Sequence, residues 1–294
     1  MITGIFAPIP TPFVGGEISY DHLAENIAKW NQTGLAGLVV MGSNGEAAYV
    51  DEDEKVEMWA FTRKHLSPDK LLVAGTGQES TRATIRLTKK AAQAGAQAAL
   101  VLSPNYFKAN MTPAALERFY RDVADESPIP VLIYNMPANT GINLSSALVT
   151  RLANHPNIIG VKDSSGNIVQ ISETIKGSPE GFSVFAGSAS FLLPAVVMGA
   201  RGGTLATANV VPDLCVKIYE LALQGKIAEA REIQMSILEL NALVTSKHGV
   251  AGLKAAMDMA GYFGGEPRRP MLPASDEAKA EIRQALERLG RVVR

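Results

Sequence analysis

The chain has 294 residues, of which 47% are hydrophobic and 19% charged, and its 28 basic and 29 acidic residues leave a net charge of −1. This composition excludes an intrinsically disordered chain, and a near-neutral charge without a basic run argues against nucleic acid or an anionic membrane as partner. The single cysteine, Cys215, excludes an intramolecular disulfide framework and is typical of a reducing compartment.

The N-terminal segment MITGIFAPIPTPF has no basic region and contains three prolines, so it lacks the features of a signal peptide. The longest apolar stretch, FLLPAVVMGA, is too short to cross a bilayer. We therefore expect a cytoplasmic protein whose partner is a small molecule.

Short apolar segments recur along the chain, and each is nearly continuous rather than alternating in character. Such runs are typical of strands that are buried on both faces. In chain order they are GIFAPIP near residue 5, GLVVMG near 38, LLVAGTG near 72, AALVLSP near 100, VLIYNMP near 132, IIGVKDS near 159, FSVFAGS near 184 and GGTLATAN near 204.

Segments with helical periodicity separate these strands, and residues typical of helix ends flank them. The first predicted helix starts at Asp21 and ends at Gly34, and the second starts at Asp51, with Glu54 three residues later. The third starts at Ser80 and ends at Gly95, and the fourth starts at Thr112, which Pro113 follows. A β-strand is therefore followed by an α-helix repeatedly along the chain.

Eight such units predict an α/β fold of the (β/α)8 TIM barrel type rather than a doubly wound sheet. Only helical patterns follow the eighth strand, and no linker precedes them. We predict a single domain over residues 1–294, in which residues 1–212 form the barrel and residues 213–294 form a C-terminal helical appendage. This appendage would pack on the barrel or on another subunit.

In barrels of this type the active site lies at the C-terminal ends of the strands. The second, fourth, fifth and sixth predicted strands end in GSNGE, SPNYF, YNMPANTG and VKDSSG. Together these ends supply a lysine, two tyrosines, and several hydroxyl and amide groups. A nucleophilic amine with a phenol as proton carrier would require this set of groups.

Lys162 follows four small or apolar residues, although lysine is rarely buried without a partner. Loss of hydration there would favour the neutral amine, which can attack a ketone. The alternative is that Lys162 pairs with Asp163 or ends the strand at the surface. Tyr134 is either a proton carrier or a core aromatic residue, and Tyr106 is either its relay or a surface residue.

The four histidines, His22, His65, His155 and His248, are scattered and form no metal-binding motif. The chain also lacks a phosphate-binding loop and a dinucleotide-binding fingerprint. We therefore predict an enzyme with no metal and no cofactor.

The ordered motifs GSNGE, SPNY, YNMPANTG and GVKDSSG together resemble those of the dihydrodipicolinate synthase and N-acetylneuraminate lyase superfamily of class I aldolases. The resemblance runs through the eighth strand and includes GLKAAMDMAGYFGGEPRRP in the tail. It implies a (β/α)8 barrel with extra C-terminal helices, assembled as a homotetramer.

The resemblance also implies roles for individual residues. Lys162 would form the imine with pyruvate or another 2-oxo acid, Tyr134 would shuttle protons, and Tyr106 would relay them, in many members from a neighbouring subunit. The residues implied in substrate binding are Ser43, Asn44, Asn139, Thr140, Gly141 and Ser164.

Synthases of this family typically carry GTTGE and an arginine in the YNVPxRTG motif, where this chain has Ser43, Asn44 and Asn139. The combination here is most similar to 4-hydroxy-2-oxoglutarate aldolases, which release pyruvate and an aldehyde, glyoxylate. The alternatives are a 2-keto-3-deoxy sugar-acid aldolase or dehydratase, a dihydrodipicolinate synthase, and a non-catalytic barrel that binds a keto acid.

Overall fold

All eight apolar segments form strands, which pair in parallel and close on themselves, so the predicted (β/α)8 barrel is confirmed. A computed structural model describes residues 1–293. The strands are β1 (Gly4–Pro8), β2 (Phe13–Val14), β3 (Glu17–Ile18), β4 (Gly37–Val40), β5 (Leu71–Gly75), β6 (Ala98–Leu102), β7 (Val131–Asn135), β8 (Ile158–Asp163), β9 (Ser183–Ala186) and β10 (Gly202–Thr204). β2 and β3 form a separate antiparallel hairpin, and the other eight strands form the barrel.

Helices connect the strands and continue beyond β10. They are α1 (Tyr20–Asn31), α2 (Glu52–His65), α3 (Thr81–Gln93), α4 (Pro113–Glu126), α5 (Pro137–Thr140), α6 (Ser146–Leu152), α7 (Ile168–Gly177), α8 (Leu192–Val197), α9 (Pro212–Leu223), α10 (Ile227–Ser236), α11 (Leu238–Ala242), α12 (Gly249–Met259) and α13 (Asp276–Arg288). Within residues 1–293, none of them is both long enough and apolar enough to cross a membrane.

Most predicted helix starts are confirmed by their capping contacts. The hydroxyls of Ser80 and Thr112 accept hydrogen bonds from the third following backbone N–H, and the Glu54 carboxylate accepts one from the Asp51 N–H. These contacts satisfy N–H groups that the first turn of a helix leaves without a partner.

The boundaries of α1 differ from the prediction. The helix begins after Ser19, so Asp21 lies in its first turn, where its negative charge still complements the helix dipole. It ends at Asn31, before Gly34, and the Thr33 hydroxyl donates to the Trp30 carbonyl oxygen at 2.7 Å in the last turn.

The barrel interior is filled at its N-terminal end by apolar side chains. Phe6, Val39, Val73, Leu100 and Phe185 belong to this inner cluster, and a larger cluster packs the outer faces of the strands against the helices. Because the interior is packed rather than hollow, a ligand can enter the barrel only at the C-terminal ends of the strands.

The tail after β10 is more broken than the sequence pattern predicts. The segment of residues 226–247, in which the helical pattern is continuous, divides at Ile237 into α10, α11 and a π-helical turn, Leu243–Lys247. α9 follows the eighth barrel strand and contacts β1. The division at residue 212 into a barrel and an appendage stays a prediction.

A buried ion pair fixes the tail to the barrel. Lys254 on α12 lies 2.6 Å from Glu46, and the two side chains are 1% and 0% exposed. The second carboxylate oxygen of Glu46 accepts a hydrogen bond from the Arg268 N–H, and Lys254 also donates to the Glu266 carbonyl oxygen. The barrel loop that follows β4 is thereby held by two segments of the tail.

Removal of one member of this pair would leave a buried charge without a partner. We expect Lys254→Ala to lower the free energy of unfolding by about 3–5 kcal/mol, measured by urea denaturation. Lys279→Ala, a change at an exposed lysine of α13, should cost about 0.5 kcal/mol or less. A loss below about 1 kcal/mol in Lys254→Ala would show that the tail does not depend on the pair.

Candidate active site

The register of β7 against β8 determines which side chains meet at the strand ends. Tyr134 lies opposite Lys162, and Asn135 lies opposite Asp163. Successive residues of a strand point to opposite faces, so Lys162 and Tyr134 face the barrel interior, whereas Asn135 and Asp163 face the surrounding helices. One pair of strands therefore supplies both a site and a support behind it.

The interior pair is close and nearly dehydrated. The Nζ atom of Lys162 lies 4.1 Å from the centroid of the Tyr134 ring, and the two residues are 5% and 4% exposed. The Tyr134 hydroxyl lies 3.3 Å from the Ser43 Oγ. Lysine, phenol and serine thus form a continuous polar cluster at the C-terminal end of the barrel.

The pKa of Tyr134 is the result of opposing effects. Burial opposes ionisation of its phenol, but the Lys162 ammonium and the Ser43 hydroxyl outweigh that effect, so the pKa lies below its ordinary value. A phenol whose ionised form is stabilised gives up and accepts a proton more readily, as a proton carrier requires.

The outward-facing pair holds the carboxylate of Asp163 in a network of hydrogen bonds. One oxygen accepts from the amides of Asn135 at 3.0 Å and Gln170 at 2.9 Å, and the other accepts from the Ser165 N–H at 2.8 Å and from the Ser165 hydroxyl. Asn143 contacts both amides. Asp163 therefore supports the strand ends. Within residues 1–293, Lys162 and Asp163 form no ion pair, so the alternative in which these two neighbours pair is wrong.

The loop after β4 brings Ser43 to the phenol through a strained backbone. Met41 has φ 63° and Glu46 has φ 57°, a region that residues with side chains adopt at a cost of about 1–2 kcal/mol. The buried pair of Glu46 with Lys254 holds this loop in place. The GLKAAMD motif of the tail thus acts on the site through the GSNGE loop.

A cavity of about 660 Å³ opens above the pair. It brings together six of the nine predicted site residues, which line its wall: Ser43, Asn44, Tyr134, Asn139, Lys162 and Ser164. Such a volume suits a small organic ligand.

Ser164 presents a buried hydroxyl beside the Tyr134 phenol, whose pKa it helps to lower. Its Oγ is buried and has no hydrogen-bond partner of good geometry within residues 1–293. A β-carbon at residue 187 would lie 2.0 Å from this oxygen, so only the natural Gly187 leaves room for it. A buried hydroxyl without a partner is costly, and a ligand in the cavity could provide one.

The other three predicted residues lie farther from the pair. Thr140 lines a neighbouring cavity, and its hydroxyl lies 3.0 Å from the carbonyl oxygens of Met136 and Ile142, which ties its proton to the loop. Gly141 ends α5 in a left-handed conformation with φ 68°. Tyr106 is 78% exposed and packs edge-on against Phe107.

The cavity also contains residues that the sequence analysis did not identify. Thr204, at the end of β10, lines it beside Lys162, and inspection of all eight strand ends would have found it. The tail forms a further part of the wall and contributes Leu238, Asn241, Ala242, Val244, Thr245, Ser246, Gly249 and Val250. The periodicity of a helix does not indicate which cavity the helix will cover.

Fold and site together define a class of protein: (β/α)8-barrel enzymes with a buried lysine and tyrosine at the C-terminal ends of adjacent strands. The model of the dihydrodipicolinate synthetase family matches residues 1–289. The chain belongs to this family, which confirms the resemblance drawn from its motifs.

Three comparisons describe the chain's place within the family. It is 37% identical over 291 residues to a probable mitochondrial 4-hydroxy-2-oxoglutarate aldolase of Emericella nidulans, covering 97% of this chain and 94% of that protein. It is 38% identical over 307 residues to an L-threo-3-deoxy-hexylosonate aldolase of Hypocrea jecorina, covering 97% and 96%. The crystal structure of dihydrodipicolinate synthase from Aquifex aeolicus matches with a TM-score of 0.95, 30% identity and complete coverage of both chains.

The reaction class follows from this membership. The relatives are aldolases and a synthase, and the family supports assignment of the chain as a carbon–carbon lyase. The choice among their substrates is a finer question, because relatives with different activities are similar to the chain to nearly the same degree.

The Asp163 network makes a prediction about stability. Asp163→Ala would remove the carboxylate that the amides of Asn135 and Gln170 share and leave both to the single oxygen of Asn143, so we expect a loss of about 3 kcal/mol in the free energy of unfolding. Ser165→Ala removes one donor to the same carboxylate and should cost about 1 kcal/mol. Urea denaturation measures both, and equal losses in the two variants would contradict a central role for the carboxylate.

Proposed function

We propose that the protein is a Schiff-base aldolase that cleaves a 4-hydroxy-2-oxo acid, such as 4-hydroxy-2-oxoglutarate, to pyruvate and an aldehyde, glyoxylate. The observation that carries this proposal is the Lys162 amine, 4.1 Å from the centre of the Tyr134 ring and facing a cavity of about 660 Å³. A dehydrated amine beside a phenol is suited to imine formation followed by proton transfer.

The reaction begins at Lys162. Its neutral amine attacks the C2 ketone, the resulting carbinolamine loses water, and a protonated imine forms, which withdraws electrons from C3. Tyr134 removes the proton of the C4 hydroxyl, the C3–C4 bond breaks, and the aldehyde departs. The enamine is then protonated at C3, and hydrolysis releases pyruvate and the free amine.

This mechanism uses the imine as its electron sink. Tyr134, whose phenol lies 3.3 Å from the Ser43 hydroxyl, carries the protons in this mechanism. Catalysis without a metal and without a cofactor other than the imine is part of the proposal.

The polar groups around the pair support a 4-hydroxy-2-oxo acid as substrate. Ser164 offers a buried hydroxyl beside the Tyr134 phenol, and Ser43 and Asn44 line the same cavity. Asn139 stands where synthases of the family typically carry an arginine, and an amide cannot form the bidentate contact that a guanidinium makes with a carboxylate. This difference makes a synthase the weaker candidate.

A second candidate is the cleavage of a 2-keto-3-deoxy sugar acid through the same imine. The observation that favours it is the 38% identity to the L-threo-3-deoxy-hexylosonate aldolase of Hypocrea jecorina over 97% of the chain. The rates of aldehyde release from a panel of 4-hydroxy-2-oxo acids would separate the two substrates. A non-catalytic barrel would release no aldehyde from any of them.

We also propose that the protein is a cytoplasmic homotetramer. The adjacent side chains of Tyr106 and Phe107 are 78% and 68% exposed, and large aromatic residues in such positions are typical of protein interfaces. A second copy seated on them would bring Tyr106 towards a neighbouring site as a proton relay. Light scattering would measure the mass, and a single-subunit value would contradict this assembly.

Lys162→Ala should abolish turnover, because no other group in the cavity can form the imine. Borohydride reduction in the presence of pyruvate, followed by peptide mass spectrometry, should place the adduct on Lys162 in the natural protein and give none in the variant. Lys176→Ala, which changes an exposed lysine, serves as the control. Comparable turnover in Lys162→Ala would contradict the proposed chemistry.

Tyr134→Phe keeps the ring and removes the proton carrier, so we expect turnover to fall roughly a hundredfold or more. Tyr262→Phe is the control, because Tyr262 is partly buried, stacks on Trp30 and does not line the cavity. Steady-state kinetics should show a loss in the first variant only. A near-normal rate in Tyr134→Phe would mean that another group transfers the proton.

A further inference from the structure

The tail closes one side of the catalytic cavity with apolar residues and with three polar ones, Asn241, Thr245 and Ser246. Ser246 is exposed, and the Thr245 hydroxyl donates to the Asn241 carbonyl oxygen at 2.5 Å. Asn241, on α11, is only 4% exposed. It is therefore the buried polar side chain that the tail presents to the cavity, and no step of the proposed reaction uses it.

Two hydroxyl groups fix the orientation of the Asn241 amide. Its Oδ1 atom accepts hydrogen bonds from Thr207, in the turn after β10, at 3.0 Å and from Ser188, after β9, at 3.2 Å. Thr207 is fully buried, and within residues 1–293 Asn241 is the hydrogen-bond partner of its hydroxyl. A reversed amide would donate to Thr207 and leave that buried hydroxyl proton without an acceptor, which is costly.

Because its oxygen is occupied, the amide has only its Nδ2 group left to offer. Within residues 1–293 this group donates no hydrogen bond of good geometry, and it is not among the fully enclosed polar atoms that lack a partner. It is therefore open to the cavity that Asn241 lines. The two donors on Oδ1 polarise the amide and strengthen its N–H groups as donors. A donor that is already held in place binds an acceptor with little loss of side-chain freedom.

The hydroxyl contacts place Asn241 beside the ends of β9 and β10, which follow β8 around the barrel. A substrate bound to Lys162 as an imine is fixed at one end, and its other end lies in the remaining space of a cavity of about 660 Å³. Cavities of this size typically hold ligands larger than 4-hydroxy-2-oxoglutarate. The remote end of a substrate therefore has room to reach the tail.

We propose that Asn241 is a specificity-determining residue, whose amide N–H donates a hydrogen bond to an oxygen at the end of the substrate remote from the imine. This inference rests on the proposed function and extends it to the recognition of that end. The oxygen has two candidate sources: the second carboxylate of 4-hydroxy-2-oxoglutarate, or a hydroxyl of a 2-keto-3-deoxy sugar acid. Both groups accept hydrogen bonds, and the experiments below separate them.

Asn241→Asp replaces the N–H donor by an oxygen and keeps an acceptor for Thr207 and Ser188. If the carboxylate is the source, it would meet a negative charge in this variant, so kcat/KM for 4-hydroxy-2-oxoglutarate should fall about tenfold to a hundredfold. The matched substrate 4-hydroxy-2-oxopentanoate has a methyl group in place of that carboxylate. Its kcat/KM should be unchanged, which also shows that the variant is folded.

Asn241→Leu fills a similar space without polar atoms and tests the hydroxyl as the source. If a hydroxyl of the sugar acid accepts from Asn241, kcat/KM for the sugar acid should fall about threefold to tenfold in Asn241→Leu. The same hydroxyl can donate to a carboxylate, so Asn241→Asp should keep a near-natural value. Asn154→Asp, the same change at an exposed asparagine outside the cavity, is the matched control and should alter none of these values.

Equilibrium binding separates this inference from the proposed function. The compounds 2-oxoglutarate and 2-oxopentanoate lack the C4 hydroxyl and cannot be cleaved by this mechanism, and they differ only by a methyl group in place of the remote carboxylate. If the carboxylate contacts Asn241, calorimetry should show that Asn241→Asp weakens the binding of 2-oxoglutarate at least about tenfold and leaves that of 2-oxopentanoate unchanged.

Failure of the natural protein to cleave any of the substrates would overturn the proposed function, whereas the titration with 2-oxoglutarate would still decide the role of Asn241. The inference about Asn241 is wrong if neither variant changes the preference for a polar remote end and the binding of 2-oxoglutarate stays the same. It is also wrong if the natural protein neither cleaves a substrate nor binds 2-oxoglutarate.

Discussion

The parallel register of β7 against β8 is the constraint on which the site depends. It places Tyr134 opposite Lys162 on the inner face and Asn135 opposite Asp163 on the outer face. A shift of one residue in either strand would turn the reactive groups towards the helices and the supporting groups into the barrel. The carboxylate network behind the strands fixes this register with hydrogen bonds, which are directional, whereas apolar packing alone is not.

The tail extends this dependence beyond the barrel. A loop that carries two left-handed residues brings Ser43 to the phenol, and the buried pair of Glu46 with Lys254 holds that loop. Removing two charges from water is costly, so the ion pair of Glu46 with Lys254 adds little to the net free energy of unfolding. Its main effect is to favour one arrangement of the loop against the tail. The cluster of Lys162, Tyr134 and Ser43 and the tail helices are thus parts of one structural unit, although Ser43 and Lys254 lie 211 residues apart in sequence (254 − 43).

The sequence predicts the barrel well because the two patterns behind the prediction each lie within a short segment of the chain. Continuous apolar runs mark strands buried on both faces, and the rule that barrels carry their sites at strand ends directs attention to Lys162 and Tyr134. The contacts that local patterns do not predict are those between distant segments. The cover that Asn241 and Thr245 provide over the cavity cannot be inferred from spacing. The break at Ile237 and the π-helical turn Leu243–Lys247 both keep the composition of an ordinary helix, so the sequence pattern does not show them.

That π-helical turn, Leu243–Lys247, has a consequence for how such enzymes can diverge. A π-helical turn accommodates one residue more than an α-helical turn, so a single insertion or deletion there would rotate the following helix and change which side chains reach the cavity. The barrel strands would be unaffected. Evolution, or a protein engineer, could therefore change the range of accepted molecules through the tail while Lys162 and Tyr134 stay in place.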